Sequence, residues 1–169
     1  MKKNLILTGM MGVGKTTVGK SLSVSLKMNF IDIDRLIEEK AKMSINQIFS
    51  KKGEKHFRLM EVETTLKSLK EKESIIALGG GAFMNKAIRD SVLKDCISFW
   101  LNLDITRLMK RIYLIKKRPL LNNNNKESTL KEIYDQRKKV YNLANYKIDC
   151  NKKDKNLIVS EIIKIYESN

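Results

Sequence analysis

The chain has 169 residues, 42% of them hydrophobic, which is enough for one domain with a real core. Its net charge of +15 (34 Lys and Arg against 19 Asp and Glu) suits polyanionic ligands, yet the excess is mostly scattered Lys beside many Asn, without the Arg/aromatic block of a nucleic-acid face. No run approaches membrane-spanning length, and Cys96 and Cys150 lie in apolar runs without metal-site spacing, so buried free thiols in a reducing cytosol are expected.

The start, Met1-Lys2-Lys3 followed by Leu5-Ile6-Leu7, imitates a signal peptide, but glycines and then Lys15 interrupt it, so a cytoplasmic location is expected. Short apolar runs then alternate with longer amphipathic ones. Strands are predicted at Asn4–Thr8, Asn29–Ile33, Ser74–Leu78, Cys96–Leu101 and Tyr146–Asp149, with helices between them. The first helix runs from Lys15 to Lys27, and the last from Lys155 to Glu167. This rhythm is that of an α/β domain, a parallel sheet with helices on both faces. The polar stretch Lys116-Lys117-Arg118 followed by Asn122 to Asn125 reads as a loop, and beside a nucleotide site it is a candidate lid, about 112–126, before a helix starting near Ser128.

Residues 9–16, Gly-Met-Met-Gly-Val-Gly-Lys-Thr, stand between a strand and a helix with the spacing of a phosphate loop. The stretch Gly12, Val13, Gly14, Lys15, Thr16 and Thr17 is the expected nucleotide cradle. Lys15 suits the β- and γ-phosphates, and Thr16 suits Mg²⁺. Ligands of parallel sheets bind beyond the C-terminal strand ends, where Asp32, Asp34, Gly79 to Gly81 and Asn151 also fall. Alternation along the second strand would put Asp32 and Asp34 on one side, one near the metal and the other at an attacking hydroxyl. The alternative is a solvated strand end with Asp34 capping the next helix. Arg58 and Glu61 share a helix face, either as an exposed ion pair or as a carboxylate that orients an anion grip. His56 reads as helix surface. The glycine triplet suits a close ligand approach, or a sharp turn. Arg111, Arg118 and Arg137 complete the basic set; each is a pocket cation or a solvated charge. With no Walker B signature, metal duty falls to Thr16 and Asp32.

Taken together, GMMGVGKTTVGK at 9–20, FIDIDRLIE at 30–38, GEKHFRLME at 53–61, LGGGA at 78–82, RPLL at 118–121 and Arg137 with Tyr141 closely resemble the bacterial shikimate kinase family, from first strand to last. The resemblance implies a three-layer αβα P-loop kinase, with a five-stranded parallel sheet, a lid and a small substrate-binding segment at about 33–61 within one domain, 1–169. It implies transfer of the ATP γ-phosphate to the 3-hydroxyl of shikimate on the route to chorismate and aromatic amino acids, with Mg²⁺ as cofactor. By that likeness Asp34 binds the hydroxyls and is the candidate base. Arg58, Arg137 and the Gly80 backbone hold the substrate, Lys15 and Arg118 stabilise phosphoryl charge, Thr16 and Asp32 serve the metal, and Arg111 and Asn151 flank the adenine. The expected partners are small molecules alone, and the expected state is a monomer. Two other readings are a related kinase of gluconate or nucleotides, which an Arg grip alone does not exclude, and a nucleic-acid-binding domain driven by charge. The Phe-Arg-x-x-Glu and glycine-triplet set speaks against the first, and the phosphate loop and paired aspartates against the second.

Overall fold

Five apolar runs form one parallel sheet: β1 (Asn4–Thr8), β2 (Asn29–Asp32), β3 (Ser74–Ala77), β4 (Cys96–Asn102) and β5 (Tyr146–Asp149), in the order β2-β3-β1-β4-β5. This computed structural model describes residues 2–113 and 126–169. The inner strands β1, β3 and β4 are buried along their whole length, which is why they read as near-continuous apolar runs. The edge strands β2 and β5 keep exposed positions.

The helices are α1 (Lys15–Leu26), α2 (Ile33–Ala41), α3 (Ile45–Ser68), α4 (Lys86–Asp95), α5 (Ile105–Tyr113), α6 (Lys126–Tyr141) and α7 (Lys155–Glu167). α1 packs on α7, while α3, α4 and α6 gather around a 3-10 turn at Ala82–Met84. Leu5, Ile6, Leu7, Ile75, Ile76 and Phe99 are fully buried in the core between these layers. α1 lies so close to β2 that a Cβ on Gly19 would stand 2.2 Å from the Phe30 ring. No helix among the described residues is long and apolar enough to cross a membrane. Cys96 and Cys150 are buried free thiols, and burial pushes both up to about 11, so they stay protonated near neutral pH.

All five strands and the first and last helices fall where the pattern places them, within two residues at each end. The informative difference is at β2. The strand stops at Asp32, because the Asp32 carboxylate accepts from the Arg35 amide at 3.4 Å and starts α2 at Ile33. Strand alternation therefore does not relate Asp32 to Asp34, and the helix cap is Asp32, not Asp34. α6 begins at Lys126, two residues ahead of the expected Ser128. Of the expected lid at about 112–126, residues 114–125, Arg118 among them, lie outside the described residues.

α3 is two helical pieces joined at Gly53, whose φ of 81° and ψ of 166° are not helical. A Cβ there would meet nothing within 4 Å, so only the backbone conformation requires glycine. Gly53→Ala is expected to lower stability by about 1–3 kcal/mol, the cost of a side chain in a glycine-only conformation. Urea unfolding checks this, and an unchanged midpoint would contradict it.

Candidate active site

Four helices begin with a side-chain cap, from Asp32, Ser44, Asn85 and Asp154. α1 does not. Gly14 holds its N-cap position at φ 106°, offers no side chain, and no acidic residue follows in the first turn. The first-turn amides and the positive end of the helix dipole thus face outward with no side-chain acceptor at the cap, an arrangement suited to phosphate. Lys15 folds over the loop, its Nζ donating to the carbonyls of Gly9 at 2.8 Å and Met10 at 3.0 Å. Thr16 Oγ1 donates to Asp32 Oδ2 at 2.6 Å, so the two expected metal groups are neighbours. Thr17 is exposed on the same turn, and Val13 is buried beneath the loop.

Beside this loop a cavity of about 660 Å³ is lined by Thr16, Asp32, Asp34, Arg58, Glu61, Gly80, Gly81 and Arg137, among others. It brings together Asp32 at the end of β2, Asp34 on α2, the α3 pair, Gly80 and Gly81, and the α6 arginine. Arg58 Nη1 donates to Glu61 Oε2 at 2.8 Å, and its Nε and Nη2 donate to Glu54 Oε1 at 3.2 and 3.1 Å. The pair with Glu61 is not a surface bridge, since the Glu61 side chain is only 3% exposed. Burial pushes the Glu61 carboxyl above the ordinary carboxylate range, while the Arg58 charge pulls it down. Burial also works against the Arg58 charge, but Glu61 and Glu54 together outweigh it and raise its pKa. Both residues are held by partners, which aims the guanidinium into the cavity.

The glycine triplet turns the chain, with the Ala82 amide donating to the Gly79 carbonyl at 3.1 Å, but none of the three has a positive φ, and at Gly79 and Gly81 it is space that calls for glycine. A Cβ on Gly79 would lie 2.5 Å from Glu61 Oε1 and 2.7 Å from Asp34 Oδ1, and one on Gly81 would lie 2.5 Å from Arg58 Nη1. The site's charged groups lie directly on bare backbone. Arg137 Nη1 donates to the Gly80 carbonyl at 3.0 Å. One wall residue had no signal in the sequence, Phe49, whose ring stands 4.8 Å from that of Phe57, the Phe of the Phe-Arg-x-x-Glu motif. They sit either side of the Gly53 break, so neither helical nor strand spacing relates them.

The other flank belongs to β4 and β5. Arg111 Nη1 donates to the Val13 carbonyl at 3.1 Å, which fastens α5 to the phosphate loop. Asn151 accepts from the Asp104 amide at 2.9 Å, donates to Asp149, and receives Arg107 on its carbonyl. Asn151 does not line the acidic and basic cavity. Central β1 therefore delivers the phosphate loop between two unlike regions, with Asp32 and the glycine triplet on the β2-β3 side and Arg111 and Asn151 on the β4-β5 side.

Such a division suits a nucleotide on one side and an acceptor on the other. The chain matches the shikimate kinase family model over residues 11–167. It is 37% identical over 163 residues to the shikimate kinase of Bartonella quintana, covering 96% of this chain and 78% of that protein. It is also 37% identical over 164 residues to that of Caldanaerobacter subterraneus subsp. tengcongensis, covering 97% and 96%. Among solved structures, shikimate kinase from Acinetobacter baumannii in complex with shikimate superposes with a TM-score of 0.95 at 33% identity, covering 100% of this chain and 95% of that one. With a family match over residues 11–167 and relatives 37% identical over nearly its whole length, this chain belongs to the shikimate kinase family.

Proposed function

We propose that the chain transfers the γ-phosphoryl group of MgATP to the 3-hydroxyl of shikimate, giving shikimate 3-phosphate and ADP on the route to chorismate. The observation that carries this is the single cavity in which a carboxylate pair, two arginines and the phosphate-loop threonine meet. Shikimate is a carboxylate bearing hydroxyls, and it needs an anion grip beside a hydroxyl-binding group. Arg58 and Arg137 supply the grip, as planar forks suited to a carboxylate. Asp34, which enters the cavity from the first turn of α2, accepts from the acceptor hydroxyls and stands as the candidate base.

Phosphoryl transfer is mostly positioning and electrostatics. Lys15 exchanges its loop carbonyls for β- and γ-phosphate oxygens, and Arg118, which lies outside the described residues, is by the family resemblance the second cation there. Gly12, Gly14, Thr16 and Thr17 present amides to the phosphates, and Arg111 and Asn151 bound the adenine. Thr16 and Asp32 are hard oxygen donors 2.6 Å apart, and no group of three metal-ligating side chains exists among the described residues. That set would suit Mg²⁺, with Thr16 and Asp32 as the residues that would hold it, and the ion would neutralise phosphate charge when bound. The same reading makes the chain a cytoplasmic, monomeric enzyme of one domain working on two small molecules.

The test is ADP release from MgATP with shikimate, gluconate and nucleoside monophosphates offered separately. Turnover with shikimate alone is expected; turnover only with another acceptor would reassign the Arg58/Arg137 cavity. Arg58→Ala is expected to weaken shikimate binding by about 1.5–3 kcal/mol, the scale of a hydrogen bond to a charged group. An unchanged KM for shikimate in that variant would remove Arg58 from the site.

A further inference from the structure

Tyr141 is the largest fully buried side chain among the described residues, and nothing in the transfer chemistry uses it. It is the last residue of α6, the helix that follows the candidate lid segment. Its hydroxyl donates to the Gly80 carbonyl, and the Met10 sulfur of the phosphate loop lies 3.8 Å from the same oxygen. Its ring packs 6.0 Å from that of Trp100 on β4. Arg137, one helical turn earlier, donates to the same Gly80 carbonyl at 3.0 Å. One carbonyl therefore takes two donors from one helix, which its two lone pairs allow.

That carbonyl lies in the middle of three residues without side chains, so the triplet has nothing of its own to pack and is held from outside. The neighbours it must keep in register are exacting, because Gly79 backs onto Glu61 and Asp34 and Gly81 backs onto Arg58. We propose that Tyr141 is a positioning residue for the acceptor: its hydroxyl pins the Gly80 carbonyl, and so fixes both the triplet backbone and the Arg137 guanidinium bonded to it. The proposal rests on the reading of Arg137 as part of the acceptor grip. Burial pushes the phenol up to about 12 against the opposing charge of Arg137, so the hydroxyl stays a donor throughout the assayable pH range. Loss of its function should not titrate.

The test is Tyr141→Phe, which keeps the ring and its packing on Trp100 and removes one oxygen. In this variant the KM for shikimate is expected to rise about 3–10-fold, the equilibrium weight of one hydrogen bond. The KM for ATP and kcat stay near wild type, and the rise is the same from pH 6.5 to 9. In the double variant with Arg137→Ala, the loss is expected to be no larger than in Arg137→Ala alone, because both act through one carbonyl. A purely structural tyrosine predicts otherwise: a lower Tm with both KM values unchanged or moving together, or losses that simply multiply in the double variant. Either result overturns the proposal. Wild-type turnover with shikimate is the internal control. Its absence overturns the acceptor assignment and this inference together, whereas its presence with an unchanged KM in Tyr141→Phe overturns only the role of Tyr141.

Discussion

Lys15→Ala is expected to lower kcat by about 10²–10³-fold, the usual cost of removing one preorganised group at developing charge. The reasoning begins with the loop. Lys15 Nζ lies 2.8 and 3.0 Å from the Gly9 and Met10 carbonyls, so its charge already stands over the loop in which the phosphates would rest. A truncation to Ala leaves the helix intact, since Ala is the best helix former and the α1 cap does not involve this side chain. The fold and the KM for shikimate should therefore stay close to wild type, which separates this variant from Arg58→Ala. Steady-state ADP release with far-ultraviolet circular dichroism as the folding control makes the measurement. Full turnover with intact folding would sink the phosphate-loop assignment.

Gly79→Ala is expected to abolish useful shikimate turnover, with kcat/KM falling at least about a hundredfold as two charged hydrogen-bonding groups are displaced. The added methyl would lie 2.5 Å from Glu61 Oε1 and 2.7 Å from Asp34 Oδ1, so both carboxylates have to move. Glu61 cannot move alone, because its other oxygen holds Arg58 at 2.8 Å and its side chain is only 3% exposed. One methyl thus disturbs the anion grip and the hydroxyl-binding group together. By the proposed assignment the nucleotide takes the opposite flank of β1, so ATP affinity is expected to persist. Equilibrium ATP binding beside shikimate kinetics checks both halves. A variant with normal kcat/KM for shikimate would show that Asp34 and Glu61 have room to retreat, and that the triplet is glycine for another reason.

Much of this molecule is legible without coordinates, for reasons that can be traced to particular residues. The inner strands were readable because strands covered on both faces are mostly apolar, as β1 is at Leu5, Ile6 and Leu7. The phosphate loop was readable because its chemistry needs glycines, Lys and Thr consecutively in the chain, so sequence order and spatial order coincide. The ion pair of Arg58 and Glu61 was readable as a pair, since helical spacing brings residues three apart onto one face.

Contacts between distant segments were not legible, because nothing local encodes them. Whether Arg58 and Glu61 made a surface bridge or a half-buried one depended on what covers α3, and the answer is the bare backbone of Gly79 and Gly81, more than 15 residues downstream. The sequence suggested a ligand approach or a turn for that triplet; the chain does turn there, Gly80 and Gly81 line the cavity, and packing adds that Gly79 and Gly81 back onto charged side chains. Asp32 and Asp34 were rightly grouped, but for a wrong reason. The Asp32 cap ends the strand, and the chain reaches the cavity by turning into α2. The bond from Tyr141 to Gly80 spans 61 positions, and only the packing of α6 against the glycine triplet brings the two together. The sequence by itself determined the fold class, the phosphate loop and the list of charged groups, because each of these needs only neighbours in the chain. The tertiary structure alone decided which charges face one another, which are buried, and where backbone must stay bare. Those depend on the sheet order β2-β3-β1-β4-β5, which sets Asp32 and the glycine triplet on one side of β1 and Arg111 and Asn151 on the other.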